Sequence, residues 1–265
     1  MRVTVCELPH EPGALAEAWA ALCEHTRSRS SELVLLPELA MVEPLWQDEL
    51  FDAARWDAAQ ALSGAWSRRL PELGVPHVVG TRPVTIARRP FNQGFLRSAS
   101  GDLLPLRRKF FLPDEPGSWE ARWFDRGDSG FPEYHAGNWS FGLNICTELW
   151  AVETYAAYAA RGVPLILSPR ATAAATTAKW LSVGVVAAVR SGAFSVSSNR
   201  VDPTGACGGI GWIIDPSGSI LARTSPGAPF ATTEIDLSAS AAARDSYPCY
   251  VLREKRQHPA GVGVW

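Results

Sequence analysis

The chain has 265 residues, of which 46% are apolar and 20% charged, with a formal net charge of −2. This composition excludes an intrinsically disordered chain, and the length suits one large core. Charge is spread without basic or acidic blocks and no apolar run is long enough to span a bilayer, which argues against nucleic acid or a membrane as the main partner.

In chain order, Arg2 to Leu8 alternates and reads as an opening strand, and Ala14 to Thr26 as an amphipathic helix. Glu32 to Leu36 is a short apolar run suited to a buried central strand. Leu45 to Leu70 reads as mostly helix. His77 to Val84, Phe91 to Ser98 and Leu103 to Lys109 form a strand-rich middle section with an antiparallel pattern. Phe110 to Phe131 is a long irregular stretch, of the kind that is usually functional inside a compact domain. Trp139 to Ile145 is a strand and Val152 to Arg161 a helix. Pro164 to Ser168 is another buried strand, Thr176 to Arg190 a helix, and Ala193 to Ser198, Gly211 to Ile214, Ile220 to Arg223 and Thr232 to Ile235 are strands. Ser238 to Arg244 is a short helix, and from about Tyr247 the tail carries few signals. No repeat or linker divides the chain, so one domain over residues 1–265 is expected.

The cysteines are Cys6, Cys23, Cys146, Cys207 and Cys249: an odd number, widely spaced, with no CxxC. A disulfide framework or thiolate zinc site does not follow, and the pattern predicts a reducing, cytoplasmic setting. The five histidines show no metal-ligand spacing, and GxGxxG, Walker, HExxH and GxSxG motifs are absent, so neither a metal nor an organic cofactor is expected. The Gly127-Asp-Ser-Gly130 stretch resembles a fragment of a serine-protease site but has no supporting histidine context.

Three reactive side chains close three apolar strands. Glu38 ends Leu-Val-Leu-Leu-Pro-Glu, Lys109 ends Leu-Pro-Leu-Arg-Arg-Lys, and Cys146 ends Phe-Gly-Leu-Asn-Ile-Cys at a strand-to-helix handover. Taken singly they are as readily a surface carboxylate, a solvated lysine and a core cysteine. Taken together at one sheet edge they provide a nucleophile, a proton acceptor and an oxyanion partner. The helix N-terminus after Cys146 would favour a thiolate.

These segments resemble the nitrilase, or carbon–nitrogen hydrolase, superfamily, whose triad is Glu–Lys–Cys. The resemblance rests on Leu-Leu-Pro-Glu38, on Arg108-Lys109 followed by Leu112-Pro113, and on Asn144-Ile-Cys146-Thr-Glu. Leu167-Ser-Pro169, Ser198-Asn-Arg200-Val and Asp215-Pro-Ser-Gly218 match later landmarks in order. The loop from Lys109 to Asp128 is similar to that of the amide and N-carbamoyl branches, which places a supporting glutamate at Glu120, preferred over Glu115 for its aromatic flanks. Thr147 and Ala156 depart from the residues usual after the cysteine in either the carbamoyl or the true nitrilase branch.

The resemblance implies an α/β fold, a four-layer α-β-β-α sandwich with two mixed sheets, and a homodimer or higher homo-oligomer formed through helices beside the site. It implies hydrolysis of a small-molecule amide or carbamoyl group through a thioester on Cys146. Glu38 would be the base, and Lys109 with the Thr147 N–H would hold the oxyanion. A nitrile substrate, acyl transfer to an amine, and a non-catalytic binding protein are the alternatives. Arg170 follows a strand ending at the same edge, which suggests an anionic substrate end read by its guanidinium, with Trp123 and Trp150 as apolar walls. The competing role for Arg170 is a structural pair with Glu148 or Glu153.

Overall fold

The computed structural model describes residues 1–254. Its first half comprises β1 (Arg2–Leu8), α1 (Pro12–Arg29), β2 (Leu33–Leu35), α2 (Ala53–Ser67), β3 (His77–Ile86), β4 (Arg89–Arg97) and β5 (Leu103–Arg108). Next come α3 (Glu120–Trp123), β6 (Glu133–Ala136), β7 (Trp139–Leu143), α4 (Glu153–Arg161), β8 (Leu165–Arg170), α5 (Thr177–Ser191) and β9 (Phe194–Arg200). The chain closes with β10 (Trp212–Ile214), β11 (Ile220–Arg223), β12 (Phe230–Glu234), α6 (Ser238–Arg244) and α7 (Cys249–Glu254).

Among the described residues twelve strands form two similar halves. In one, β1, β2 and β3 are parallel, with β4 and β5 antiparallel beyond β3 and with β12 antiparallel on β1. In the other, β7, β8 and β9 are parallel, flanked by antiparallel β6 and by β10 with β11. The expected two mixed sheets are therefore present, but they are not separate. Glu7 and Leu8 pair with Asn199 and Arg200, so β1 and β9 join the halves into one nearly closed sheet.

Strand alternation builds the layers. Val3, Val5, Leu33 and Leu35 face Leu165, Leu167, Phe194 and Val196 in a core between the two halves. The opposite faces of the first half, with Cys6, Val34 and Val78, pack on Leu15, Trp19 and Leu22 of α1 and Trp66 of α2. The outer face of the second half, with Ile166, Trp212 and Ile214, packs on Tyr155 and Tyr158 of α4 and Val183 and Ala187 of α5. Three apolar interfaces between four layers of secondary structure, two of strands and two of helices, are the α-β-β-α sandwich.

Two boundaries differ from the sequence reading. The helix expected over Leu45 to Leu70 begins only at Ala53, because the Asp52 carboxylate caps it by accepting from the N–H groups of Ala54 and Arg55. Residues before it form a 3-10 turn over Leu45–Gln47 that seats Trp46 against the site. The tail expected to lack structure from about Tyr247 instead forms α7, with Cys249 buried; its residues 255–265 lie outside the described residues. Among the described residues no helix is long and apolar enough to cross a membrane.

Candidate active site

The parallel strands of both halves deliver their C-terminal ends to one edge, where sites form in α/β proteins. Glu38 follows β2, Lys109 follows β5, and Cys146 opens a 3-10 turn (Cys146–Trp150) just after β7. The glutamate segment is held by backbone groups: the Glu38 N–H donates to the Arg170 carbonyl (3.1 Å), and the Leu39 N–H to Thr81 Oγ1 (2.7 Å). Arg200, buried at the end of β9, donates to the carbonyls of Leu39 (2.9 Å) and Val42 (2.7 Å). On the lysine side, the Lys109 N–H donates to the Asn92 carbonyl and the Gly127 N–H donates to the Lys109 carbonyl, each at 2.8 Å. A Cβ at Gly127 would lie 2.2 Å from the Arg108 carbonyl oxygen, so this glycine of the Gly-Asp-Ser-Gly stretch is required by close backbone approach.

The Lys109 ammonium is fully buried and donates to Glu38 Oε1 (2.8 Å) and to both oxygens of Glu120 (2.7 and 2.6 Å). Asn92 Nδ2 also donates to Glu38 Oε1 (2.8 Å). Donors therefore converge on Oε1, while Oε2 of Glu38 takes none among the described residues. Burial alone would strip the proton from Lys109, but the attraction of Glu120 and Glu38 outweighs it and holds the group above the usual lysine range. Burial, with the nearby Glu38 charge, raises Glu120 from 4.5 to about 7 despite the Lys109 ammonium.

Cys146 has φ of 49°, a left-handed conformation rare outside glycine, which marks a strained elbow at the strand's end. Cys146 is buried, 4% exposed. Burial and then the Glu38 charge raise the thiol well above its ordinary 9.0, outweighing the opposing Lys109 charge. The expectation that a helix N-terminus would favour a resting thiolate is corrected: the following 3-10 turn spans only Cys146–Trp150, and desolvation wins. A neutral thiol in this place needs a base when it attacks.

Cys146 forms part of a pocket of about 270 Å³ whose walls include Trp46, Ser118, Glu120, Thr147, Thr172 and Trp180. Glu115 and Cys207 also line it. Glu120 rather than Glu115 contacts Lys109; Glu115 is exposed and lines the pocket with no side-chain partner among the described residues. Among the described residues, no group of three or more His, Cys, Asp or Glu is placed to hold a metal ion.

The three residues expected to read the substrate lie outside this wall. Arg170 is fully buried on the helix-facing side of β8. It donates to Ser197 Oγ (2.7 Å), Thr172 Oγ1 (2.8 Å) and the Ile210 carbonyl (2.5 Å), and its guanidinium lies 4.0 Å from the Trp212 ring centroid. Strand alternation decides this: Leu165 and Leu167 face the inter-sheet core, so Ile166 and Arg170 face the helices. Glu148 pairs with Arg107 instead of Arg170. Trp123 is wholly buried beside Leu39 and Val42 and donates to the Asp48 carbonyl (2.6 Å). Trp150 is 46% exposed and lies against Trp180, one ring outside the pocket. The pocket's indoles are Trp46 and Trp180, and Asn92 was equally unforeseen. The one available signal was position: Trp46 lies eight residues beyond Glu38, and Trp180 in the first turn of α5.

Residues 2–245 match the model of the carbon–nitrogen hydrolase family. The chain belongs to the carbon–nitrogen hydrolase family. Among solved structures, a carbon–nitrogen hydrolase from Helicobacter pylori G27 superposes with a TM-score of 0.85 at 21% identity, covering 97% of this chain and 96% of that one. An amidase from Nesterenkonia sp. AN1, whose active-site cysteine carries the acetamide moiety of fluoroacetamide, gives 0.74 at 20% identity over 96% of each chain. These likenesses establish the shared fold. N-carbamoylputrescine amidase of Solanum lycopersicum is 33% identical over 81 residues, 31% of this chain and 27% of that protein. The match therefore spans about a quarter of that relative's length.

Proposed function

We propose that this carbon–nitrogen hydrolase cleaves the C–N bond of a small amide or N-carbamoyl compound through a thioester on Cys146. The observation that carries the reading is the buried Glu38–Lys109–Glu120 cluster beside a buried thiol in a small pocket. Glu38 takes the thiol proton on its free oxygen as the sulfur attacks the carbonyl carbon. The oxyanion is stabilised by the Lys109 ammonium and by the Thr147 N–H at the start of the 3-10 turn. Collapse breaks the C–N bond, and Glu38 passes its proton to the departing ammonia or amine. Water then gives a proton to Glu38 and attacks the thioester, releasing the acid and returning the proton to the thiol. Glu120 keeps Lys109 charged and seated.

Substrate size and charge follow from the walls. A pocket of about 270 Å³ admits a small molecule. Its charged lining residues are Glu115 and Glu120, both acidic, and Arg170 points elsewhere. The distal end of the substrate is therefore neutral or cationic rather than anionic. Exposed Trp150, Val152 and Val186, on and beside the packed pair α4 and α5, support a second copy of the chain as the partner. Ammonia release from matched amide, N-carbamoyl amine and nitrile substrates tests the reading. Amide or carbamoyl turnover is expected to exceed nitrile turnover; a nitrile with the higher kcat/KM would overturn the branch assignment.

A further inference from the structure

Lys109 and Cys146 come from opposite halves of the sandwich: Lys109 follows the edge strand β5 of one, and Cys146 follows β7 of the other. Between the halves lies mainly an apolar core, whose attraction is non-directional and does not by itself set the two side chains in register. A polar device crosses that seam. Glu148 is completely buried, and its two oxygens are used on different sides. Oε1 accepts from the Phe110 N–H (2.7 Å), the residue after the lysine. Oε2 accepts from the Ile145 N–H (2.9 Å), the residue before the cysteine. The guanidinium of Arg107, two residues before the lysine, pairs with the same Oε2. Arg107 is itself fixed by the carbonyls of Gly130 and Asp128, both at 3.2 Å, and lies 4.0 Å from the Phe131 ring centroid.

We infer that Glu148 is a positioning residue that sets the distance between the reacting groups by bonding the backbone N–H next to each. The chemistry of the side chain fits this task. Two buried N–H groups need acceptors. A carboxylate offers one oxygen to each, whereas a glutamine offers a single acceptor oxygen and two donor protons. The buried charge that this requires is offset by Arg107, anchored on the lysine strand itself. Catalytic groups tolerate displacement of only about 0.5 Å, and a misplacement of about 1 Å can cost about 100-fold in rate.

The inference rests on the proposed roles of Cys146 and Lys109, and its test has a readout that needs no amide. In the full chain, Glu148→Gln keeps the shape and loses one acceptor, while Glu148→Asp keeps the charge facing Arg107 and is one methylene shorter. Each is expected to lower kcat about 100-fold with KM changed less than about threefold. The charged neighbours of the Cys146 thiol are Glu38, Lys109, Glu120 and Arg170; Lys109 lowers it and is the cation next to the backbone N–H that Glu148 bonds. A displaced Lys109 therefore moves the pH profile of Cys146 alkylation by iodoacetamide to higher pH. Leu22→Ala, between α1 and the first half of the sheet, is expected to lower Tm and leave both readouts unmoved. The inference is overturned if a folded Glu148 variant keeps wild-type kcat and alkylation profile, or if Leu22→Ala shifts both to the same extent. Should the glutamine variant fail to fold, the aspartate variant decides alone. If no amide is turned over by the wild type, the proposed reaction fails, and the alkylation profile still decides the role of Glu148.

Discussion

Lys109 and Arg170 are both fully buried near the strand ends around Cys146, and their surroundings differ in kind. Lys109 faces two carboxylates, Glu38 and Glu120, and is held above the usual lysine range. Arg170 has hydroxyls, a carbonyl and an indole face, with no carboxylate in contact among the described residues, and burial, outweighing the Cys146 and Glu7 charges, pushes it down to about 9. A compact ammonium among acids is a reservoir of charge that can meet an oxyanion and pass influence to a base. A guanidinium with its donors spent on neutral acceptors is a strut. Burial and a position at the active edge therefore do not distinguish the two; the charge of their partners does.

The comparison breaks first at the proposed nucleophile. Cys146→Ala is expected to lose at least about 1,000-fold in turnover with its fold intact. Cys207 shares the pocket but is a buried thiol raised to about 11 by desolvation, and Cys207→Ala is expected to keep its activity. Paired rate and circular dichroism measurements check both, and a Cys207→Ala variant as inactive as Cys146→Ala would sink the assignment.

The two cations come next. Lys109→Met leaves two carboxylates buried without a counter-ion and is expected to abolish turnover and cost roughly 3–5 kcal/mol of stability. Arg170→Met leaves unpaired only neutral groups, for a cost of roughly 1–3 kcal/mol, and kcat/KM falls equally for charged and neutral substrates. Urea titration measures the first contrast. A carboxylate substrate selectively lost in Arg170→Met would restore the sequence-based expectation and defeat the contrast.

Glu120 sharpens the lysine side through pH. It moves from 4.5 to about 7 on folding, so between those values the folded chain keeps a proton that the unfolded chain has released. Stability then falls as pH rises through this window, by roughly 1–3 kcal/mol. Denaturation midpoints at pH 5 and pH 8 (about the two ends of the window) are expected to converge in Glu120→Gln. A pH dependence equal to that of the wild type would show that other groups cause it.

The smallest effect belongs to Glu115, which is exposed. Glu115→Gln is expected to reduce kcat/KM for an amide with an ammonium tail by roughly fivefold and to leave its neutral isostere unchanged, consistent with a Coulomb term of about 1 kcal/mol at the surface. Rates on the isosteric pair decide this, and equal changes for both substrates would remove Glu115 from recognition.

Order along the chain singled out Glu38, Lys109 and Cys146 as candidates, because each follows a strand-forming run; β2 and β7 are buried, while β5 is a partly exposed edge strand. Glu120, in a loop otherwise without pattern, came from the family resemblance and not from this logic. The sequence reading misplaced Arg170, Trp123 and Trp150. A residue one step beyond a strand lies on one face or the other according to pleat and register, and a tryptophan's burial depends on segments distant in sequence. Trp46 lines the pocket because Asp52 delays the start of α2, a capping choice that periodicity does not show. Glu148 was legible only as an acid near a cysteine, since its three donors belong to Arg107, Phe110 and Ile145. Strand content and the candidate reactive side chains are thus legible in local sequence, because apolar periodicity and residue chemistry are local, whereas the layer pattern rested on the family resemblance. Which oxygen of Glu38 is free, why the thiol rests protonated and which walls the substrate meets were decided by tertiary structure. Desolvation and Coulomb forces depend on distances between groups that the chain brings together only when both halves of the sandwich close.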